Sequence, residues 1–352
     1  MYEALSYDDV LLVPQHSTVT SRSEVNIGNE LDGDMFLSLP IISSPMDTVT
    51  EEDMVVAMAE AGGMGVIHRY NSIEEQEAIA IKAFNKLAYS LSNPAPIPPK
   101  GPPIIGAAVG VTDDYLLRTK RLLDCGVSVI CVDVAHGHHL LTERALKTLR
   151  DAYGDIFHLM AGNVATLEGF NALSDWGADS VRVGIGGGST CSTRIQTGHG
   201  VPSFASIIEC SDTDRSAAIV ADGGIKNSGD IVKALAAGAD FVMVGSLLAG
   251  TDEAPGQLFD APKGKKYKSY RGMASKDAQM EWRGKTATPE GISTTIPYRG
   301  SVSSILDDLQ GGITSGFSYS GANNMSELWS KARFIQQTGA GQKESSTHIL
   351  SR

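Results

Sequence analysis

Short apolar runs that end in glycine or polar residues recur along the chain, and each is followed by a segment with helical spacing. The runs predict strands, and the segments between them predict amphipathic helices with acidic residues early and a glycine at the end. The runs cover residues 39–48, 62–69, 102–110, 127–137, 156–164, 179–189, 218–224 and 240–247. The pattern is typical of repeated βα units.

Eight such units predict a closed (β/α)8 barrel of the α/β class. An open, doubly wound sheet is the alternative fold, although such sheets normally have fewer repeats. A length of 352 residues is compatible with two domains or with one barrel. The repeat favours a single barrel domain over residues 1–352.

Three segments fall outside the repeat. Residues 92–103, SNPAPIPPKGPP, read as a short proline-rich linker. Residues 263–300 follow the eighth run and alternate like a hairpin before they become polar, which predicts a lid or flap over the barrel mouth. Residues 338–352 form a polar tail.

Composition narrows the class of partner. With 29 basic and 41 acidic side chains the net charge is −12, which disfavours nucleic acid and acidic membranes as partners. The N-terminus lacks the features of a signal peptide, and no apolar run is long enough to span a bilayer, so we expect a cytoplasmic protein. The four cysteines are too few and too irregularly spaced for a disulfide scaffold or a zinc site.

Polar residues close the predicted strands, where this fold places its active site. Apolar residues would stand there if the ends only packed the core, so the set predicts a functional site. The set comprises Ser44, Asp47, His68, Arg69, Asp133, His136, Asn163, Arg182, Asp222 and Ser246.

The glycine-rich loop at 184–200 contains Cys191, the best candidate for a nucleophile in the chain. Arg194 stands close by in sequence and would favour the thiolate. The alternative is a tolerated surface thiol. Cys125 and Cys131 flank or occupy a strand and are expected to be inert.

The segments ADGGI (221–225) and VGSLLAG (244–250) close the seventh and eighth strands, a frequent phosphate site in such barrels. The N–H groups of Gly223, Gly224, Gly245 and Ser246 could donate to a phosphate, and Asp222 could accept from ribose hydroxyls. Tight turns that simply require glycine are the alternative.

Other features remain ambiguous or weak. Met273, beside Tyr270 and Gly272, either packs on a planar ring or fills the hairpin base. The HxHH cluster is weak support for a metal. Its residues are His136, His138 and His139. A solvated hairpin face explains the basic cluster better than nucleic acid does. That cluster is Lys263, Lys265, Lys266 and Lys268.

Taken together, SSPMDTVTE, GAAVG, the cysteine loop, VADGGI, FVMVGS, YRGMAS and PEGI resemble the inosine monophosphate dehydrogenase and guanosine monophosphate reductase family. The resemblance implies a tetramer of barrels that binds a purine nucleotide and a nicotinamide cofactor, with Cys191 attacking purine C2. It implies that the nucleotide is held by Ser44, Ser189, Asp222, Gly223, Gly224, Gly245, Ser246, Tyr270, Gly272 and Met273, and that Asp133, Asn163 and Arg182 line the cofactor side.

The two branches of the family differ in the group that enters or leaves at C2. The dehydrogenase branch uses an Arg–Tyr pair on its flap to activate water, and residues 275–289, SKDAQMEWRGKTATP, contain none. The cysteine loop, CSTRIQTGHG, resembles the reductase pattern, in which Thr193 and Glu290 relay a proton to departing ammonia. The paired regulatory (CBS) domain of most dehydrogenases is also missing before the third strand. VDVAHGHH and the tail resemble both branches, and Glu290 occurs in both.

We therefore expect reductive deamination of GMP to IMP with NADPH, and NAD-dependent oxidation of IMP to XMP is the alternative. A purine-nucleotide-binding regulator without catalysis and a flavin-dependent barrel oxidoreductase are further alternatives. The sequence leaves open whether a monovalent cation such as K⁺ binds at Gly186, Gly188 and Cys191.

Overall fold

The structure is a computed structural model that describes residues 3–92, 103–112, 114–345 and 347. Its strands are β1 (Val10–Leu12), β2 (Asn29–Asp32), β3 (Met35–Leu37), β4 (Ile41–Ser43), β5 (Met64–Ile67), β6 (Ile105–Val109), β7 (Val129–Asp133), β8 (His158–Val164), β9 (Ser180–Val183), β10 (Ala218–Asp222), β11 (Phe241–Val244), β12 (Leu258–Ala261), β13 (Lys265–Arg271), β14 (Ser293–Pro297) and β15 (Phe334–Gln336).

Helices alternate with the strands through most of the chain. They are α1 (Glu52–Glu60), α2 (Ile73–Ser92), α3 (Tyr115–Asp124), α4 (Leu140–Tyr153), α5 (Leu167–Asp175), α6 (Thr193–Thr197), α7 (Ser203–Ser211), α8 (Ser228–Ala236), α9 (Lys276–Arg283), α10 (Val302–Tyr319), α11 (Met325–Lys331) and α12 (Gly339–Glu344). Short 3-10 helices lie at Tyr7–Asp9, Arg22–Glu24 and Pro262–Gly264.

Strands β4 to β11 form a closed barrel in sequence order. Neighbouring strands are parallel, and β11 pairs with β4 to close the ring, with Val244 opposite Ser43. The eight barrel strands lie within the eight apolar runs. The predicted (β/α)8 barrel is confirmed.

Alternation along each strand divides the core in two. In β11, Phe241 and Met243 point into the barrel, whereas Val242 and Val244 pack against the surrounding helices. Because both faces of a parallel strand are covered, the strands are apolar almost throughout. This packing holds the strand ends, and the side chains that follow them, at fixed positions.

An N-terminal hairpin, β2–β3, covers the amino ends of the barrel strands. Its Leu31 and Leu37 belong to the interior cluster. The Asn29 side chain donates to Asp240 at 3.1 Å. Burial raises the pKa of Asp240 to about 6. The sequence pattern did not predict this closure, because the hairpin strands are only four and three residues long.

The predicted excursion after the eighth strand is a three-stranded antiparallel sheet, β12–β13–β14, with α9 between its last two strands. It begins at Leu258, earlier than the expected residue 263. The expectation that Lys268 is solvated is wrong. Its ammonium is buried and donates to the carbonyls of Thr251 and Ala254, and burial lowers its pKa. Lys263, Lys265 and Lys266 are exposed as expected.

The remaining two segments are partly covered by the structure. Residues 93–102 of the linker, and residues 346 and 348–352 of the tail, lie outside the described residues. Within the tail, residues 339–344 form α12, and the Gln337 side chain just before it donates to the Asp8 carbonyl at 2.7 Å. The helices of the described residues are too short or too polar to cross a bilayer.

Replacement of Phe241 by alanine should lower the free energy of unfolding by about 3–5 kcal/mol, because it leaves a cavity inside the barrel. Urea denaturation followed by circular dichroism measures the loss. Phe259→Ala is the control, since that ring is 38% exposed on the flap sheet. Equal losses in both variants would contradict the assignment of Phe241 to the interior.

Candidate active site

Two connected openings lie at the carboxyl ends of the barrel strands. A cleft of about 550 Å³ is lined by the glycine turns after β10 and β11, and a cavity of about 250 Å³ is lined by Cys191 and Arg182. Both openings share Ser44, Gly188 and Asp222 in their walls. Seven of the ten predicted strand-end residues line the two openings, which together could hold an extended ligand, whereas Asp47, His68 and His136 line neither.

Cys191 begins a chain of hydrogen bonds. Its thiol donates to the Thr193 hydroxyl at 3.1 Å, and that hydroxyl donates to a Glu290 carboxylate oxygen at 2.9 Å. Backbone contacts hold the three together: Ser192 N–H donates to the Glu290 carbonyl at 2.8 Å, and Cys191 bridges to Gly291. A carboxylate can thus take the thiol proton through one hydroxyl, which is an arrangement suited to activating a nucleophile.

Arg194 does not activate this thiol through a direct contact, as the sequence had suggested. Its guanidinium donates to the Val201 carbonyl at 2.8 Å, and its aliphatic part packs beside Gly186 and Gly200. Helix α6 turns the side chain toward the cleft, where Arg194 forms part of the wall. The arginine therefore braces the glycine loop.

The other thiols are set apart from this chain. Cys131 is buried in β7, and burial raises its pKa to about 11. Cys125 ends α3, where burial also raises its pKa. Cysteines that stay protonated at neutral pH are poor nucleophiles, which agrees with the expectation that both are inert.

The two glycine turns line the cleft as expected. Gly223 and Gly224 adopt positive φ angles of 92° and 83°, which let the backbone turn sharply after β10. Across the cleft, the Ser189 hydroxyl lies 3.0 Å from the Tyr270 hydroxyl, and Gly245 and Ser246 complete the wall. Burial raises the pKa of Tyr270, so its hydroxyl stays protonated and able to donate. The cleft thus offers neutral donors suited to a phosphate.

Arg182 joins residues that the sequence assigned to different ligands. Its guanidinium is buried and donates to Asp133 at 2.6 Å and to Asp222 at 2.8 and 3.1 Å. The Asn163 amide also donates to Asp222, at 2.8 Å. Burial alone would raise the pKa of Asp133, but Arg182 and Arg69 lower it overall. The expected substrate and cofactor residues therefore form one network of paired charges.

Aromatic residues on the flap were missed by the sequence reasoning. Trp282 of α9 packs edge-on against Tyr70 with ring centroids 5.1 Å apart. The Arg69 guanidinium lies over both rings, 5.0 Å from Tyr70 and 5.5 Å from Trp282. Only Arg69 was identified as a strand-end residue, and its neighbour Tyr70 carried no pattern of its own.

Met273 is held at the flap base, which leaves its ring-packing role as a prediction. Its sulfur accepts the Asp47 N–H at 3.4 Å, and Arg271 pairs with the Asp47 carboxylate at 2.5 Å. Met273 and Gly272 both line the cavity that contains Cys191. These contacts fix the flap against the end of β4.

His136, His138 and His139 do not gather ligand atoms for a metal, among the residues that the structure describes. One group that does lies at the opposite end of the barrel: Asp32, His158 and Asp179 place ligand atoms within 4.8 Å of one another. Their atoms are already bonded, since His158 contacts Asp32 and Ser180, and Asp179 pairs with Arg150. Protein contacts explain this group.

The monovalent cation at Gly186, Gly188 and Cys191 stays a prediction. The Gly188 carbonyl accepts the Cys191 N–H at 3.0 Å, so one of its two lone pairs is used within the loop.

Replacement of Arg182 by methionine should lower the free energy of unfolding at pH 7.5 by about 3–5 kcal/mol, because it leaves the largely buried Asp222 without this cation and Asp133 with Arg69 alone. The pKa of Asp133 is lowered in the folded wild type, so its stabilising contribution is present at neutral pH and lost on acidification. The deficit of the variant should therefore shrink toward pH 4.5, as the unpaired carboxyl groups take up protons.

The measurement is urea denaturation at both pH values. Arg215→Met is the control, since Arg215 pairs with Asp175 and Asp214 at the surface. A deficit that is the same at both pH values would contradict the charge-pairing role of Arg182.

Comparisons with known proteins show the family to which the chain belongs. A family model described as the IMP dehydrogenase / GMP reductase domain matches residues 4–348. IMP dehydrogenase of Nitrosopumilus maritimus is 34% identical over an alignment of 472 residues that covers 98% of each chain. GMP reductase of Leishmania major is 31% identical over 481 residues, covering 99% of this chain and 98% of that one. Both alignments are longer than the 352-residue chain, so each relative contains segments without a counterpart here.

A solved structure is also similar. It is a variant of GMP reductase from Trypanosoma brucei in complex with guanosine 5'-monophosphate, which matches with a TM-score of 0.91 and 32% identity over 99% of this chain and 98% of that chain. Relatives named IMP dehydrogenase and relatives named GMP reductase occur at comparable sequence identity. The chain belongs to the IMP dehydrogenase / GMP reductase family.

Proposed function

We propose that the protein is a GMP reductase, which converts GMP to IMP and ammonia with NADPH as the hydride donor. The observation that carries the proposal is the acid–base chain of Cys191, Thr193 and Glu290 beneath a flap whose residues 275–289 include no Arg–Tyr pair. These three hydrogen-bonded side chains can move the protons that loss of ammonia requires. Nothing on the flap matches the pair that the dehydrogenase branch uses to activate water.

In the proposed reaction, the sulfur of Cys191 is first the nucleophile and at the end the leaving group. Its sulfur forms a bond to purine C2, and the exocyclic amine leaves with the electron pair of the C2–N bond. Glu290 receives the thiol proton through Thr193 and returns a proton to the leaving amine, which departs as ammonia. A reduced nicotinamide cofactor, when bound, supplies the hydride that takes the place of the amine at C2. The C–S bond then breaks and the sulfur leaves as a thiolate.

In the proposed orientation, the nucleotide would extend through both openings. Its phosphate would lie in the cleft against the turns at Gly223–Gly224 and Gly245–Ser246, with the hydroxyls of Ser189 and Tyr270 as further donors. Asp222 uses one carboxylate oxygen for Arg182 and Asn163, which leaves the other for the ribose hydroxyls. The purine would then reach the cavity beside Cys191, Gly272 and Met273, with Ser44 at the junction.

The residues expected on the cofactor side suit a nicotinamide. Asn163 donates both bonds through its amide nitrogen, to Gly184 and Asp222. Its amide oxygen accepts no bond from the part of the chain that the structure describes, so it is available to a carboxamide N–H. Asp133 and Arg182 are ionised partners in the same wall and would orient the group. NADPH in preference to NADH and the tetramer are predictions from the family resemblance. The cytoplasmic location is a prediction from the N-terminal sequence and the lengths of the apolar runs, and the monovalent cation is left open.

IMP dehydrogenase is the second candidate, because one Arg–Tyr pair does border the cavity. Arg69 and Tyr70 follow β5 and line the cavity together with Cys191. Burial, with a smaller contribution from Asp133, raises the pKa of Tyr70 to about 12. Burial by itself would lower the pKa of Arg69. Tyr70 and Asp133 outweigh this effect, so the pKa of Arg69 is raised above its ordinary value. A general base works best with a pKa near the working pH, so this pair is poorly suited to activate water.

A paired absorbance assay at 340 nm tests the proposal. The protein should consume NADPH in the presence of GMP and release ammonia, and it should not reduce NAD in the presence of IMP. Cys191→Ala should lose turnover and still bind GMP, because the thiol forms the covalent bond while other residues hold the phosphate. Turnover of IMP with NAD, and none of GMP with NADPH, would establish the dehydrogenase instead.

Replacement of Thr193 by valine should lower kcat about 10²- to 10⁴-fold with little change in KM, because it breaks the proton path between Cys191 and Glu290. Steady-state kinetics with GMP measure both constants. Thr197→Val is the matched control, since Thr197 ends the same short helix and its hydroxyl bonds only to backbone groups, donating to the Thr193 carbonyl and accepting the His199 N–H. A normal kcat in Thr193→Val would remove the hydroxyl from the mechanism.

A further inference from the structure

The amino end of α7 opens into the cleft that would hold the phosphate. The helix begins at Ser203, directly after Pro202, and no side chain caps it. Its third N–H, from Ala205, is bonded to the Leu5 carbonyl at 3.0 Å. The N–H groups of Ser203 and Phe204 have no acceptor within the described ranges of the chain. This nine-residue helix therefore presents two free donors and the positive end of its dipole.

The Ser203 side chain is a second and independent sign of a ligand. The residue is only 5% exposed and lines the cleft, and its hydroxyl forms no hydrogen bond to any residue that the structure describes. The Ser203 residue lines the cleft, unlike Ser206 of the same helix, whose unpartnered hydroxyl is fully enclosed. The Ser203 hydroxyl is therefore free to bond to a molecule held in the cleft.

The Ser203 hydroxyl lies beside backbone groups that could bind the same ligand. Ser203 Oγ lies 2.3 Å from the point where a Cβ on Gly187 would stand, and 3.0 Å from the corresponding point on Gly224. It therefore touches the backbone of two glycine turns that line the same cleft. An acceptor bonded to the Gly224 N–H would lie within reach of the Ser203 hydroxyl as well.

Charged side chains of both signs line the cleft. Arg194 and Lys226 are matched there by Asp8 and Asp9, and Lys226 is paired with Asp8 at 2.6 Å. Asp222 lies at the opposite end, toward the cavity that contains Cys191. The neutral donors of the glycine turns and of the start of α7 are therefore the groups that would hold an anion, away from the Asp222 carboxylate.

We propose that the Ser203 hydroxyl and the first two N–H groups of α7 bind the phosphate of the purine nucleotide, opposite the turns at Gly223–Gly224 and Gly245–Ser246. The inference rests on the proposed nucleotide site, but it holds for either activity, since GMP and IMP carry the same phosphate. It assigns to Ser203 the discrimination between a nucleoside monophosphate and the free nucleoside.

The test is calorimetric titration of wild type and Ser203→Ala with GMP, IMP and guanosine, together with KM and kcat for the reaction that the wild type catalyses. Loss of a hydrogen bond to a charged phosphate should raise the Kd and KM for the monophosphate roughly tenfold to a hundredfold. The affinity for guanosine and kcat at saturation should stay within about twofold. Ser203→Cys, which keeps a side chain of similar shape but donates weakly, should fall between wild type and Ser203→Ala.

Ser206→Ala is the matched control. Ser206 lies on the same helix, is fully buried and has a hydroxyl without a partner, but it does not line the cleft. Thermal unfolding without nucleotide confirms that each variant is folded. Equal GMP affinity in wild type and Ser203→Ala, or an equal loss for guanosine, would overturn the inference and leave the proposed function intact. Failure of the wild type to bind either nucleotide would overturn the proposed function itself.

Discussion

The ion pairs of Arg182 with Asp133 and Asp222 are the interaction on which the geometry of the site depends. A buried guanidinium is tolerated only when carboxylates compensate its charge, and Asp133 and Asp222 do so from two other strands of the barrel. Because Asn163 donates to Asp222 as well, four strand ends are fixed relative to one another by one cation. The bonds to one oxygen of Asp222 give the other oxygen a defined direction within the barrel mouth.

The rest of the site is assembled over this network by segments from distant parts of the chain. Thr193 and Glu290 are 97 residues apart and share a hydrogen bond of 2.9 Å. Asp47 and Met273 are 226 residues apart and also touch. The flap therefore contributes a proton acceptor to a thiol on the glycine loop, and its position is held by Arg271 at one end and Trp282 at the other. The hydrogen-bond chain from Cys191 to Glu290 therefore depends on the position of the flap.

The barrel strands and their polar ends could be predicted from the sequence, because both depend on residues that are neighbours along the chain. A parallel strand covered on both faces must be apolar along its whole length, so the eight barrel strands were visible as runs. The ends of those strands had to be polar, which identified Asp133, Asn163, Arg182 and Asp222. Lys268 shows the limit of such reasoning, because its neighbours in sequence are solvated, yet the β13 register turns its ammonium onto the carbonyls of Thr251 and Ala254.

The sequence by itself determined the barrel and the family resemblance and singled out Cys191 as the candidate nucleophile, since each depends on residue type and spacing along the chain. Only the tertiary structure decided which polar side chains are partners. It placed Arg194 against Val201 instead of Cys191, set Tyr70 edge-on against Trp282, and left the Ser203 hydroxyl beside two glycine turns with no partner among the described residues. These outcomes depend on contacts between segments far apart in the chain, which no local pattern records.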